Sequence, residues 1–83
     1  EIDVVAAPLL GTFWRRPAPE APHFVGEGDT IEAGQTVGLI EVMKSFHEVA
    51  AERAGVVRRF LVDEGETVEY GQPLVELESP PEG

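Results

Sequence analysis

Eighty-three residues suffice for one domain, and a chain this short buries only about 60% of the surface its unfolded form exposes. Sixteen acidic against six basic residues give a formal charge of −10, a surface that repels phosphate backbones and anionic lipid and argues against nucleic acid or membrane as partners. No cysteine is present for a disulfide framework or a zinc–thiolate site, which fits a cytoplasmic protein, and no apolar run approaches the roughly 20 residues that span a bilayer.

The chain opens at Glu1 without a methionine or a signal-peptide pattern, and it reads as a piece of a longer polypeptide. Glycines and prolines then punctuate it at short intervals, leaving little room for helices. Val4-Val5 forms the first short β-rich group. Residues 15–22, RRPAPEAP, alternate prolines with other residues and favour a stiff extended loop. Gly26-Glu27-Gly28 lacks a following helix pattern and is a turn, not a phosphate cradle. Further strands are expected at Val37 with Leu39-Ile40, at Val56-Val57, at Phe60-Leu61-Val62, and at Leu74-Val75 with Leu77.

An internal repeat organises these pieces. Residues 24–41 (FVGEGDTIEAGQTVGLIE) and 61–78 (LVDEGETVEYGQPLVELE) agree at eight of 18 positions, at an offset of 37. Upstream, Val5-Ala6-Ala7 with Gly11 matches Val49-Ala50-Ala51 with Gly55 at an offset of 44. The first half therefore carries about seven extra residues, which fall in 15–22. Two such halves are too small to bury their own cores and are expected to pair about an approximate twofold axis, with segment 42–48 close to that axis.

One local signal points elsewhere. No Gly or Pro occurs from Leu39 to Ala54, Ser45 and Glu48 have capping-box spacing, and Gly55 could end a helix. The matching segment Val5-Ala6-Ala7-Pro8 contains a proline, however, and cannot be mid-helix. Strand–turn–strand is therefore expected around Lys44.

No catalytic set is apparent. His23 and His47 lack metal-site spacing, and Ser45 and Ser79 lack the context of a nucleophile elbow. What remains is Lys44, the only lysine in the chain, preceded by Glu41-Val42-Met43. A lone lysine is ordinarily just a charge on an exposed turn. This one is unique, follows an apolar pair and joins the two halves. Its amine is a poor nucleophile near neutrality, so chemistry here would need an activated donor brought by another enzyme.

EVMKS resembles the E-A/V-M-K-M motif of biotinyl domains, and residues 2–78 are similar to the C-terminal domain of the biotin carboxyl carrier proteins of bacterial acetyl-CoA carboxylases. GTFWRRPAPEAPHFVGEGD resembles that family's GTFYRTPSP stretch, which forms a protruding "thumb"; AERAGVV resembles its S-G-T-V turn, and VEYGQPLVELE its closing strand. The resemblance implies an all-β fold, a flattened β-barrel (barrel-sandwich hybrid) of two four-stranded antiparallel sheets with pseudo-twofold symmetry. It implies a carrier domain over 2–78, with the thumb at about 15–22 and a tail at 79–83. It further implies biotin covalently attached to Lys44, with Glu41, Val42, Met43 and Ser45 as the residues a biotin protein ligase reads. Ser45 stands where methionine is usual and Val42 where alanine is common. Arg16 replaces a threonine that contacts the biotin ureido ring, making it the candidate thumb contact. On this resemblance the chain holds no catalytic residue and no metal. It shuttles carboxybiotin between biotin carboxylase and carboxyltransferase in fatty acid biosynthesis, as a cytoplasmic carrier whose isolated domain is monomeric. The alternatives are a lipoyl-type carrier, which would want a different neighbourhood around the lysine than Met43 provides, and an unmodified barrel-sandwich adaptor.

Overall fold

The computed structural model describes residues 2–79, so the expected tail lies outside the described residues from position 80 onward. Eight strands follow in order: Ile2–Ala6 (β1), Gly11–Trp14 (β2), Thr30–Ile31 (β3), Thr36–Val42 (β4), Ser45–Ala50 (β5), Gly55–Phe60 (β6), Thr67–Val68 (β7) and Pro73–Glu78 (β8). No helix occurs among the described residues. Segment 45–54, whose composition favours a helix, is instead strand β5 followed by a short bend. Cross-strand pairing of β5 with β4 overrides the local preference.

The strands form two four-stranded antiparallel sheets, ordered β1-β8-β6-β3 and β5-β4-β2-β7. Exchanging β1 with β5, β2 with β6, β3 with β7 and β4 with β8 turns one order into the other. The hydrogen bonds obey the same exchange. Gly34 N–H donates to Ala51 O at 2.7 Å, and Gly71 N–H to Ala7 O at 2.8 Å. Gly28 N–H donates to Val57 O and Gly65 N–H to Phe13 O, both at 2.8 Å. Side chains repeat too, since the amides of Glu32 and Glu69 each donate at 3.0 Å to the amide oxygen of Gln35 or Gln72. The repeat in sequence is thus a repeat in space, and the molecule is flattened, 44 × 27 × 19 Å along its principal axes.

The inner faces of the two sheets make one core. Phe13, Ile31, Ile40, Val37, Val49, Val57, Val68, Leu74 and Val75 are fully buried, and no polar or charged residue among those described joins them. Phe13 is the largest core side chain, and it sits close against the backbone of β4. A Cβ added at Gly38 would stand 2.6 Å from its ring, so only glycine admits Phe13 there.

Three expectations need correcting. Strand β2 escaped the sequence reading because GTFW carries a single inward apolar residue, Phe13, and so lacks an apolar cluster. The strand expected over Phe60-Leu61-Val62 ends at Phe60, although Val62 is still buried. The lysine-bearing turn, lastly, is not on the axis. Phe46 pairs with Glu41, and the exchange carries that pair onto Ile2 and Glu78, which also pair. The turn is therefore the symmetry counterpart of the chain ends.

Candidate functional site

Val42 and Ser45 pair across the end of the β4–β5 ladder, leaving Met43 and Lys44 as a two-residue hairpin loop. Both residues have positive φ, 48° and 71°, the pattern of a type I′ turn. Asn and Gly usually fill such loops because other side chains are strained there by about 1–2 kcal/mol per residue. Met43 is 93% exposed, so burial does not offset that strain. Lys44 is exposed and has no hydrogen-bond or ion-pair partner among the described residues. The turn thus presents a free primary amine on a short, stiff support.

Beside this hairpin the outer face of the β5-β4-β2 ladder carries a groove of about 380 Å³. Trp14 from β2, Glu41 from β4 and Phe46 from β5 form its floor, and Arg16, Pro17 and Pro19 of the thumb form a wall. Period-2 alternation explains the floor. Phe13 and Ile40 are paired and turn inward, so their neighbours Trp14 and Glu41 turn outward. The indole N–H of Trp14 then donates to Glu41 Oε1 at 3.0 Å.

The thumb leaves the barrel at Trp14. Arg15 belongs to the barrel wall, since its guanidinium lies 3.7 Å from the Phe60 ring centroid and donates to Val25 O at 3.3 Å. Its Nε is buried without a hydrogen-bond partner. The Phe24 amide closes the base of the loop on Arg15 O at 2.8 Å. Residues 17–20 are exposed.

Arg16 is engaged within the protein. Its Nε donates to Glu64 Oε2 at 3.3 Å and its Nη2 to Glu64 Oε1 at 3.0 Å. Nη1 donates to the carbonyls of Pro19 and Ala21, and Nη2 also meets His23 Nε2. Four of the five guanidinium N–H groups are used in this way, and the fifth is used when His23 Nε2 carries no proton. Arg16 lines the groove with its guanidinium bonded to Glu64 and to thumb carbonyls. Glu64 itself also accepts from the Arg15 amide at 3.2 Å and meets His23 at 3.2 Å. Burial works to raise its pKa. The hydrogen bonds from Arg16, the Arg15 amide and His23, with the Arg16 charge, outweigh burial and hold the carboxyl below its ordinary value.

Of the residues singled out in the sequence, Glu41, Val42, Met43, Lys44 and Ser45 are gathered on one hairpin, and Arg16 lies across the groove from it. Trp14, Phe46 and Glu64 went unnoticed. Trp14 carried one signal, as the only tryptophan in the chain. His47 is exposed on β5, and no cluster of three or more potential metal ligands occurs among the described residues. No helix among them is long and apolar enough to cross a membrane.

Comparison with known proteins bears on this hairpin. Residues 3–77 match the biotin/lipoyl family model described as "Biotin-requiring enzyme". The biotin carboxyl carrier protein of acetyl-CoA carboxylase from Nostoc sp. is 51% identical over 73 residues, covering 88% of this chain and 40% of that protein. Its counterpart from Haemophilus influenzae is 39% identical over 75 residues, covering 90% and 48% respectively. The chain thus spans less than half the length of these relatives. Among solved structures, a single-chain, multi-domain long-chain acyl-CoA carboxylase matches with a TM-score of 0.78 at 30% identity, over 98% of this chain and 7% of that one. Kluyveromyces lactis urea carboxylase matches with 0.76 at 29% identity, over 94% and 6%. With a hairpin-borne lysine on a duplicated β fold and a family match spanning residues 3–77, the chain belongs to the biotin/lipoyl attachment family of biotin-requiring enzymes.

Proposed function

We propose that residues 2–78 are the biotin carrier domain of an acetyl-CoA carboxylase, with biotin in amide linkage to Lys44. One observation carries the reading. The only lysine in the chain stands exposed and unpartnered at the apex of a two-residue hairpin within EVMKS. The residues fit the cofactor, because a free amine on a stiff turn can be acylated and an apolar-walled groove lies alongside.

The chain contributes no catalysis in this reading. A biotin protein ligase brings the activated valeryl carboxyl, the neutral Lys44 amine attacks it, and an amide forms as the activating group leaves with its electron pair and the nitrogen gives up one proton to solvent. Met43 and Ser45 give the ligase an exposed collar around the amine, Val42 is half-buried against the core beside them, and Glu41 gives it an acid on the outer face. When bound, biotin supplies a ureido nitrogen that accepts a carboxyl group at biotin carboxylase and releases it at carboxyltransferase. The stiff turn limits where the arm can reach, and tethering replaces free diffusion with a high effective concentration at both partners. Arg16 takes part as a wall of the groove. We place the carrier in the cytoplasm, in fatty acid biosynthesis, and its isolated domain as a monomer.

Co-expression with a biotin ligase tests the reading. The intact mass should rise by one biotin, and Lys44→Arg, which keeps the charge but is a far weaker nucleophile, should abolish the gain. A Lys44→Arg chain that still bound streptavidin would sink the assignment, and a parent chain that gained no mass would favour the unmodified adaptor.

A further inference from the structure

Glu64 is the point at which the thumb touches the second half of the barrel. Its two carboxylate oxygens receive both arms of the Arg16 guanidinium, a residue 48 positions away, and the amide of Arg15. A two-pronged arginine–carboxylate contact fixes orientation as well as distance, unlike a single surface ion pair. His23, at the far end of the loop, completes the group. Without a proton on Nε2 its ring accepts from Arg16, and with one it donates to Glu64.

The repeat supplies an internal comparison. Glu27 stands 37 positions before Glu64, in the matching turn of the first half. There the glutamate is exposed to solvent, and its side chain has no hydrogen-bond or ion-pair partner among the described residues. One repeat position thus carries the same residue twice, and only the copy facing the thumb has been recruited. The loop has little slack of its own, because prolines at 17, 19 and 22 stiffen it. Its base is pinned where the Phe24 amide donates to Arg15 O.

We infer that Glu64 is a positioning residue that clasps Arg16 and holds the thumb closed over the groove beside Lys44, keeping one wall of that groove in place. That the groove receives the biotin arm rests on the carrier reading above; that the clasp closes the thumb does not.

Trp14 reports on the thumb directly, being the only tryptophan and part of the same groove. Acrylamide quenching and backbone ¹⁵N relaxation would be measured under native conditions on the 83-residue chain, unmodified and biotinylated. Glu64→Gln keeps the side chain's size and removes the charge. It should raise the quenching constant roughly twofold and lower the order parameters of residues 18–21 below about 0.6, while the barrel strands stay rigid. Arg16→Met should do the same with the barrel side of the clasp intact, and the double variant should be no looser than either single one. Glu27→Gln makes the same charge change on the repeat partner and should leave both readouts at the parent value. Parent-like quenching and relaxation in Glu64→Gln would overturn the clasp, as would equal loosening in Glu27→Gln. The two readings fail separately. A chain that gains no biotin mass yet loosens in Glu64→Gln loses the carrier role and keeps the clasp. A biotinylated chain whose thumb opens while the biotin signals keep their linewidths keeps the clasp and loses the groove as the arm's resting place.

Discussion

The indole N–H of Trp14 and the carboxylate of Glu41 lie 3.0 Å apart, joining the foot of the thumb to the acid that opens the lysine-bearing segment. The bond runs diagonally across the β2–β4 ladder, since Thr12 is the residue directly opposite Glu41. It draws the carboxylate over β2 as part of the groove floor. Trp14→Phe keeps an aromatic ring and removes the donor. A partly buried bond of this kind contributes about 1 kcal/mol, so the urea midpoint should fall by that equivalent with an unchanged m-value. An unchanged midpoint would mean that the bond contributes nothing net.

The Met43-Lys44 turn is strained for the sake of what it presents. Asparagine tolerates positive φ better than methionine, and Met43 gives up no buried contact when replaced. Met43→Asn should raise stability by up to about 1 kcal/mol and slow ligase-catalysed biotinylation. Thermal melts and a mass-spectrometric time course would check the two halves. A destabilised variant would show that the turn is not strained at Met43.

How far was this legible in sequence? The duplicated architecture was, because turn glycines and the Gln35 and Gln72 positions recur at one offset and make the same bonds in both halves. The hairpin was legible only through Pro8, the repeat partner of Glu52 in the segment that follows the turn. Neither Asn nor Gly marks it, and the alanines after it favour a helix. Which repeat glutamate matters could not be read, since Glu27 and Glu64 differ only in whether a loop 48 residues away folds across them. The axis was misplaced for a related reason. The linker of two repeats looks central along a sequence, whereas here its counterpart is the pair of chain ends.

Gly38 should be intolerant of any side chain. The added methyl carbon of Gly38→Ala would stand 2.6 Å from Phe13 Cε1 and 2.9 Å from the Trp14 carbonyl. Relief requires moving the largest core ring or the β2 backbone, and such overpacking costs about 1–3 kcal/mol. Calorimetry should show the loss. A change within about 0.5 kcal/mol, ordinary for a surface site, would mean that Phe13 can move aside freely.

The clasp also carries a pH dependence. The folded-state pKa of Glu64 lies below the ordinary glutamate value of 4.5. Folding therefore favours its ionised form, and the stabilisation is fully present above that value and lost as pH falls through the folded pKa. The groups facing it are Arg16, His23 and the Arg15 amide. The difference in melting temperature between the parent and Glu64→Gln should hold steady near neutrality and shrink in acid. A difference that grew on acidification would reverse the sign assigned here.

The exchange of strands between the two sheets has a consequence for how such a molecule can be wired. Ile2 and Glu78 stand where Phe46 and Glu41 stand in the other half, so each half ends in the same kind of corner. One corner is bridged by two residues and bears the amine. The other holds Ile2 and Glu78, the first residue of β1 and the last of β8. A circularly permuted chain, cut between Met43 and Lys44 and closed by a short turn between the present ends, would rebuild the same two sheets with the corners interchanged. The amine-bearing turn and the corner that holds Ile2 and Glu78 are thus equivalent positions of one repeated framework.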